Sequence, residues 1–408
     1  MKFNIVLALL LLIIEVSSCD DHNGKGYALS TSLKADSMSS SCANFTKDNK
    51  GNIVLSWVRQ RNDSSSIFCY AVSADKGKSF GRTIEIPSST SIHPHAENIP
   101  KLIFKPSGEI IAVWGAANPD AENKYAGLVY YSQSFDSGSS WTEATRLVKD
   151  TAGFDQRYFD IVSLPDGEVG IGWLDNRIKK SKDGSALYFA RTNGKNGFTN
   201  EKLINEPACE CCRIDLFADS KNSLHITFRA IIRDSIRDIL HTVSNDNGQN
   251  FSDPVPISTD NWVIKGCPHT GPSMTETNGE IYHAWYTMGT GSGIFSTRSG
   301  LDGNKFTPKQ SISGRSARHP QVQSSANNIL MVWDETFSNN GKYSTKIEFQ
   351  RTLTGDKKDS IITITPEFEN SSYPVLYPID ERKTLVAYTR REGDQTHVCY
   401  QSIELYQN

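Results

Sequence analysis

Four cysteines and one histidine, in two short segments, are the residues of this sequence best suited to chemistry. Residues 208–213 read ACECCR and residues 265–269 read KGCPH. Thiolate and imidazole are soft ligands, so Cys209, Cys211, Cys212, Cys267 and His269 could hold copper, as Cu(I), or zinc. The same cysteines could instead form disulfides that brace the two segments. If the chain were extended here, Cys211 and Cys212 would point to opposite sides and could not easily face one ion.

A repeat that runs along the chain must position these segments. Each copy has a polar turn and then an apolar run that ends in an aromatic residue, as in PSGEIIAVW, which ends at Trp114. Seven such aromatics, 48 to 59 residues apart, lie at Trp57, Trp114, Trp173, Phe228, Trp285, Trp333 and Tyr388. This period, with four short strands per unit, is typical of propeller blades. The sequence therefore predicts an all-β, seven-bladed β-propeller over residues 26–408, with six blades as the alternative.

The two ends of the chain indicate how the ring closes. The seventh copy ends near Leu405, too early to include a fourth strand. Residues 27–32, near the N-terminus, have no blade of their own. We therefore expect an N-terminal strand at 27–32 to pair with residues 398–405 and complete the last blade.

A second repeat has the pattern Ser-x-Asp-x-Gly-x-x-aromatic and contains Asp75, Asp136 and Asp246, while a weaker copy at 299–306 keeps only its second half. In such a turn the carboxylate accepts backbone N–H bonds and the glycine supplies a positive φ, so the three aspartates are predicted to be structural. This pattern is the Asp-box, or BNR repeat. The chain thus resembles the sialidase-like β-propeller superfamily.

Propeller geometry predicts where side chains from different blades meet. Residues just before the innermost strand of each repeat should surround the mouth of the central channel, on the face opposite the Asp-boxes. By register these are Cys42, His93, His95, Arg157, Cys209 to Arg213, Cys267, His269, Arg318 and His319. In contrast, His225, His241 and His283 lie inside strand-like runs and are predicted to be packed.

The resemblance also implies a possible exo-sialidase, a glycoside hydrolase that acts on terminal sialic-acid-like sugars. Sialidases hold the substrate carboxylate with three arginines and use a tyrosine nucleophile with an aspartate as acid and base. The family's first arginine lies in Phe/Tyr-Arg-Ile-Pro, and this phrase is missing; its nearest counterparts contain Asn98 or Arg318. The weak candidates for catalytic groups are Arg318, Arg177, Arg213, Asp160, Asp175 and Glu335.

The N-terminus predicts export. An apolar run from Ile5 to Ile14 is too short to span a bilayer, and Val16-Ser-Ser-Cys19 resembles the lipobox of bacterial lipoproteins. The resemblance implies a signal peptide at 1–18, lipidation of Cys19 and a tether at 19–25, with an ordinary secretory signal as the alternative. The protein is then expected on the bacterial cell envelope, at the outer membrane or cell surface. Without Cys19 seven cysteines remain, so at least one lacks an intramolecular disulfide partner.

Three functional hypotheses remain open. A formal net charge of −3 and the lack of any Lys/Arg run argue against a nucleic-acid partner. The first hypothesis is a binding module whose Cys/His cluster binds metal or forms disulfides. The others are an exo-sialidase and a scaffold whose open face binds a glycan or an envelope protein. The phrases C-x-C-C-R and C-P-x-x-G-P also resemble a subgroup of Asp-box propellers, which marks the cluster as a family pattern without fixing its chemistry.

Overall fold

Seven antiparallel sheets form a closed propeller. The computed structural model describes residues 26–406, except 122, 124, 150–154, 178–183, 354 and 356. The predicted signal peptide at 1–18, Cys19 and the tether at 19–25 lie outside these residues. Apart from strands, the described chain has two three-residue 3-10 helices, Pro87–Ser89 and Gly194–Asn196. No helix in this part of the chain is long and apolar enough to cross a membrane.

Each blade is built from strands that follow one another along the chain. The N-terminal strands are β1 (Tyr27–Leu29) and β2 (Leu33–Lys34). Blade 1 contains β3 (Ser40–Lys47), β4 (Ile53–Asn62), β5 (Ser65–Ser73) and β6 (Ile84–Glu85). Blade 2 contains β7 (Lys101–Phe104), β8 (Ile110–Ala117), β9 (Gly127–Ser134) and β10 (Thr145–Arg146). Blade 3 contains β11 (Gln156–Ser163), β12 (Val169–Asp175), β13 (Ser185–Thr192) and β14 (Phe198–Ala208).

The remaining blades repeat this order. Blade 4 contains β15 (Asp215–Ala218), β16 (Leu224–Arg229), β17 (Ile239–Ser244) and β18 (Val255–Pro256). Blade 5 contains β19 (Ser273–Thr277), β20 (Glu280–Thr287), β21 (Gly293–Gly300) and β22 (Gln310–Ser313). Blade 6 contains β23 (Ala317–Ser325), β24 (Asn328–Asn339), β25 (Lys342–Thr352) and β26 (Ile362–Thr363). Blade 7 contains β27 (Ser371–Pro378), β28 (Lys383–Glu392) and β29 (Gln395–Leu405).

Ring closure follows the sequence prediction. Strand β1 pairs antiparallel with β29, so that Tyr27 lies opposite Leu405 and Leu29 opposite Ile403, and β2 adds a short pairing at Leu33. The first strand of each blade contacts the first strand of the next blade, and β27 contacts β3 to complete the circle. Seven blades and an N-terminal closing strand are confirmed, and the six-bladed alternative is wrong.

The seven aromatic residues of the repeat form the core between blades. Each lies in the second strand of its blade, and each side chain is fully buried. Neighbouring blades cover both faces of these strands, so β12 is buried along its whole length instead of alternating between buried and exposed. Trp173, for example, stacks on Tyr188 with 5.6 Å between ring centroids. Burial of a large ring in every blade contributes much of the hydrophobic stabilisation.

The Asp-boxes lie between the third and fourth strands of their blades and are turns held by their aspartates. The Asp246 carboxylate accepts the backbone N–H of Asn250 at 2.8 Å and the Ser244 hydroxyl at 2.8 Å. The Ser244 hydroxyl in turn accepts the N–H of Gly248, whose φ is +78°. Phe251 packs back on Phe189 with ring centroids 5.2 Å apart. Asp75 and Asp136 make the same bonds, which lower both carboxyl pKa values to about 2.

Removing an Asp-box carboxylate should weaken the fold without affecting a site on the other face. We expect Asp246→Ala to lower the free energy of unfolding by about 1 kcal/mol, because the turn loses several hydrogen bonds to one carboxylate. Asp302→Ala, in the weak fourth box, is the control, since its carboxylate makes bonds of 3.4 Å to Asn304 alone. Urea unfolding measures both variants. Loss of ligand binding by Asp246→Ala at unchanged stability would contradict a structural role.

Candidate metal centre

Two chain segments meet on the open face between blades 4 and 5. Residues 209–213 precede β15 and residues 267–269 precede β19, so both segments lead into innermost strands. Because adjacent innermost strands contact each other, their starting points lie close together at the mouth of the channel. The third-to-fourth strand turns with the Asp-boxes are at the opposite ends of the strands. The topology therefore separates the structural repeats from the Cys/His cluster.

The cluster consists of two groups of ligand atoms that share one sulfur. The sulfurs of Cys209, Cys211 and Cys212 lie within 4.8 Å of one another. Cys211, Cys267 and His269 form a second group, again with ligand atoms within 4.8 Å. The Cys209 and Cys211 sulfurs are 3.6 Å apart. The expectation that Cys211 and Cys212 diverge was wrong, because residues 210–211 form a turn and the chain there is not extended.

The two groups differ in their access to solvent. Cys209, Cys211 and Cys212 are each no more than 3% exposed, whereas Cys267 and His269 are exposed. All seven cysteines in the described part of the chain are free thiols. The arrangement thus has a buried three-sulfur end and an open end with one sulfur and one imidazole, joined by Cys211.

Lowered pKa values favour the thiolate forms of two cysteines in the cluster, Cys267 and Cys212. Hydrogen bonds from Cys211 and His269 lower the pKa of Cys267 to about 5. The bond to Cys267 in turn raises the pKa of His269. Burial opposes ionisation of Cys212, but hydrogen bonds from Cys209 and Cys211, together with the positive charge of Arg229, hold its pKa well below the usual range. Anionic sulfur, the form that binds metal, is therefore stabilised at Cys267 and Cys212, whereas hydrogen bonds to Cys209 and Cys212 raise the pKa of Cys211.

A cleft of about 490 Å³ opens beside the exposed end of the cluster. Cys211, Cys267 and His269 form part of its wall, and His93, His95, Arg157 and Tyr158 line it further along. The rings of His95 and His269 are 6.4 Å apart. The Nδ1 atom of His95 accepts the backbone N–H of Glu97, and burial lowers the pKa of His95 to about 4. His95 is therefore a neutral imidazole near neutral pH, with its proton on Nε2.

Arg213, the residue after the cysteine pair, anchors the cluster to the channel. It donates to Glu97 at 2.6 Å and to the carbonyl oxygen of Pro320 at 2.6 Å, and its side chain is buried. Glu97 also accepts the backbone N–H of Gly271 at 3.2 Å. Asn98, at the position where sialidases have arginine, accepts the backbone N–H of Tyr158 at 2.8 Å. These hydrogen bonds thus join residues of blades 2 to 6 directly beside Cys212.

Sequence reasoning missed a strained ring of residues at the mouth of the channel. Cys42, Tyr158, His319 and Tyr373 have positive φ values of 50° to 61°, and each lies at a bulge near the start of an innermost strand. His319 stacks on Tyr373 with centroids 4.1 Å apart and bonds to Asp334 at 2.7 Å. No glycine marks these positions, so the sequence carried no turn signal. The bulges turn these side chains out of the regular pleat at the open face.

The weak sialidase candidates all have partners within the protein. Arg177 pairs with Asp175 and Glu201, and Arg213 pairs with Glu97. Asp160 pairs with Lys101 and accepts the backbone N–H of Leu216. Glu335 accepts the hydroxyl of Ser316. Arg318 lies over the Tyr286 ring at 3.9 Å and donates to the carbonyl oxygen of Ala317 at 2.8 Å. Asp175 is fully buried, and burial raises its pKa. All six side chains therefore make contacts within the protein.

Comparisons with known proteins show which domain and which solved structures this chain resembles. Residues 87–263 match the model of the BNR repeat-like domain. A Dyadobacter fermentans protein of unknown function has a similar structure, with a TM-score of 0.55, 14% identity, and coverage of 93% of this chain and 99% of that chain. The polysaccharide lyase Uly1 aligns with a TM-score of 0.55, 12% identity, and coverage of 96% and 94%.

A Hadza microbial sialidase aligns with a TM-score of 0.51 and 14% identity, covering 84% of this chain and 74% of the sialidase. No curated protein matches the sequence. At these identities the similarities concern the fold, and the relatives named above include different activities. The seven blades and these similarities together show that the chain has a sialidase-like β-propeller fold, part of which resembles the BNR repeat-like domain.

Proposed function

We propose that this protein is an exported binding module that holds a soft metal ion on the open face of its propeller. The ligands are the thiolates of Cys211 and Cys267 and the imidazole of His269. The observation that carries the proposal is the convergence of these three ligand atoms within 4.8 Å, from two blades, in the wall of a cleft. A disulfide would explain a pair of cysteines, but it has no use for the imidazole.

The composition of the ligand set favours Cu(I) over Zn(II). Thiolate and imidazole ligands suit both ions, but structural zinc usually takes four protein ligands in a tetrahedron. Cys211, Cys267 and His269 offer three, which satisfies Cu(I). A three-ligand zinc site with an open position toward the cleft is the alternative, and it would resemble catalytic zinc sites in ligand number.

We also propose that the protein is attached to the bacterial cell envelope. The lipobox-like segment before Cys19 supports a lipid anchor on the bacterial envelope, which would expose the open face to periplasmic or external metal. A glycan or an envelope protein remains a further class of partner for the same face. The exo-sialidase hypothesis is weaker, because Asn98 replaces the expected arginine and the candidate arginines are engaged in internal contacts.

Metal binding by the reduced protein tests the proposal directly. Protein freed of metal and kept anaerobic should remove Cu(I) from the coloured bicinchoninate complex, because thiolates bind Cu(I) more strongly than that chelator. We expect Cys267→Ser and His269→Ala to weaken Cu(I) binding by the group of Cys211, Cys267 and His269 at least tenfold, so that less Cu(I) is taken from bicinchoninate. A parallel titration with Co(II) in place of zinc would show sulfur-to-metal charge-transfer absorption if the site prefers a zinc-like ion.

Cys399→Ala is the matched control. Cys399 is a buried free thiol in blade 7, outside the cluster, so this variant should bind Cu(I) like the wild type. A thiol count on protein purified without reductant distinguishes the disulfide alternative. A fully reduced protein that neither competes for Cu(I) nor binds Co(II) would contradict the proposed function.

A further inference from the structure

The Cys/His cluster has more ligands than one metal ion needs. Its two groups, Cys209, Cys211 and Cys212 on one side and Cys211, Cys267 and His269 on the other, overlap only at Cys211. A single ion at the exposed group leaves two buried sulfurs, those of Cys209 and Cys212, with no ligand role. A single ion at the buried group leaves the exposed pair equally unused.

We propose that the cluster binds two Cu(I) ions bridged by the Cys211 thiolate. This inference rests on the proposed function and assigns the second ion to the buried group of Cys209, Cys211 and Cys212. Thiolate sulfur has several lone pairs and commonly bridges two soft ions, so one shared sulfur can complete two three-ligand sites. Both ions stay Cu(I), and each thiol that becomes a ligand releases its proton to the buffer.

The environment of the two sites differs in a way that predicts their behaviour. The buried ion is enclosed by the sulfurs of three residues that are each no more than 3% exposed. The second ion lies at the wall of the cleft, where Cys267 and His269 are exposed. The buried ion is therefore retained, whereas the cleft ion exchanges with copper or chelators in solution.

The position of Cys211 explains how one sulfur reaches both groups. Cys211 belongs to the turn of blade 4 that precedes β15, and Cys267 and His269 come from the segment of blade 5 that precedes β19. Because the two segments meet at the mouth of the channel, Cys211 lies at the junction of the blades. Bound copper would then cross-link blades 4 and 5.

Stoichiometry tests the bridged pair. Reduced protein is loaded anaerobically with excess Cu(I), desalted, and examined by native mass spectrometry. We expect two ions in the wild type, one in Cys267→Ser, and one in the double variant Cys209→Ser/Cys212→Ser. Cys211→Ser should lose at least one ion and show a tenfold or greater drop in affinity for any ion that it retains.

A second measurement does not depend on the folding of the buried variants. Adding an excess of bicinchoninate to the loaded wild type should remove one ion within minutes and leave the other, and Cys267→Ser should lack the fast phase. A wild type that saturates at one ion, or a Cys211→Ser variant that binds two ions with unchanged affinity, would overturn the bridged pair. One ion per protein that is lost in Cys267→Ser still supports the proposed function, whereas one ion that Cys267→Ser retains, or no Cu(I) at all, contradicts both.

Discussion

Arg213→Met is expected to destabilise the folded protein by about 3–5 kcal/mol, the usual cost of removing one partner of a buried ion pair. Glu97 is buried and would lose its arginine partner, keeping the hydrogen bond from the backbone N–H of Gly271. The carbonyl oxygen of Pro320 would also lose its donor. Urea unfolding at neutral pH measures the change in the free energy of unfolding.

Two variants show whether the buried charge is the cause. Glu97→Gln/Arg213→Met should be less destabilised than Arg213→Met alone, because the neutral amide of glutamine has no charge to compensate. Arg61→Met removes a more exposed partner of Glu85 and should cost no more than about 1 kcal/mol. A loss below about 1 kcal/mol for Arg213→Met would show that the ion pair does not hold the blades together.

The fold could be predicted because its determinants are local and repeated. Each blade has an aromatic residue in its second strand, and three blades have a clear Asp-box turn, so spacing alone indicated blade number and register. Ring closure followed from a missing strand at one end and an unassigned strand at the other. The weak fourth box shows the limit of this approach, because Asp302 stands one residue away from the usual place and makes only long contacts.

The candidate site could be predicted only in outline. The register of the repeat was enough to predict that five residues lie close together, namely Cys209, Cys211, Cys212, Cys267 and His269. It did not reveal the turn at 210–211, since no glycine or proline lies between Cys209 and Arg213. The left-handed residues Tyr158 and Tyr373 were equally invisible, because their conformations depend on contacts between blades. The role of Arg213 required knowledge of Glu97, which lies 116 residues earlier.

Three histidines packed between blades 4 and 5 make the fold sensitive to acid. His225 and His241 lie parallel, with Nδ1 of His225 3.0 Å from Nε2 of His241, and His283 packs edge-on against His241. All three side chains are fully buried, as the strand-like runs predicted. Burial lowers the pKa of His241 to about 3 and that of His283 well below its usual value.

Charged groups near the three buried histidines do not reverse the lowering of their pKa values. Asp219 bonds to His225 at 3.2 Å, and Glu276 also favours its protonation, yet burial still lowers the pKa of His225. In the unfolded chain each histidine takes up a proton below about pH 6.5, whereas in the folded protein it stays neutral. The unfolded state therefore binds more protons, and the free energy of unfolding falls as the pH decreases below 6.5.

Between pH 6.5 and 5 we expect His241 alone to lower the free energy of unfolding by about 2 kcal/mol. Each additional proton bound by the unfolded chain changes this free energy by about 1.4 kcal/mol per pH unit. Urea unfolding at a series of pH values gives the slope of stability against pH. His283→Gln keeps a similar volume but cannot take up a proton, so it should reduce the slope by about one proton. Equal slopes for the wild type and His283→Gln would mean that the buried histidines do not determine acid stability, since each of them differs in protonation between the folded and unfolded chains.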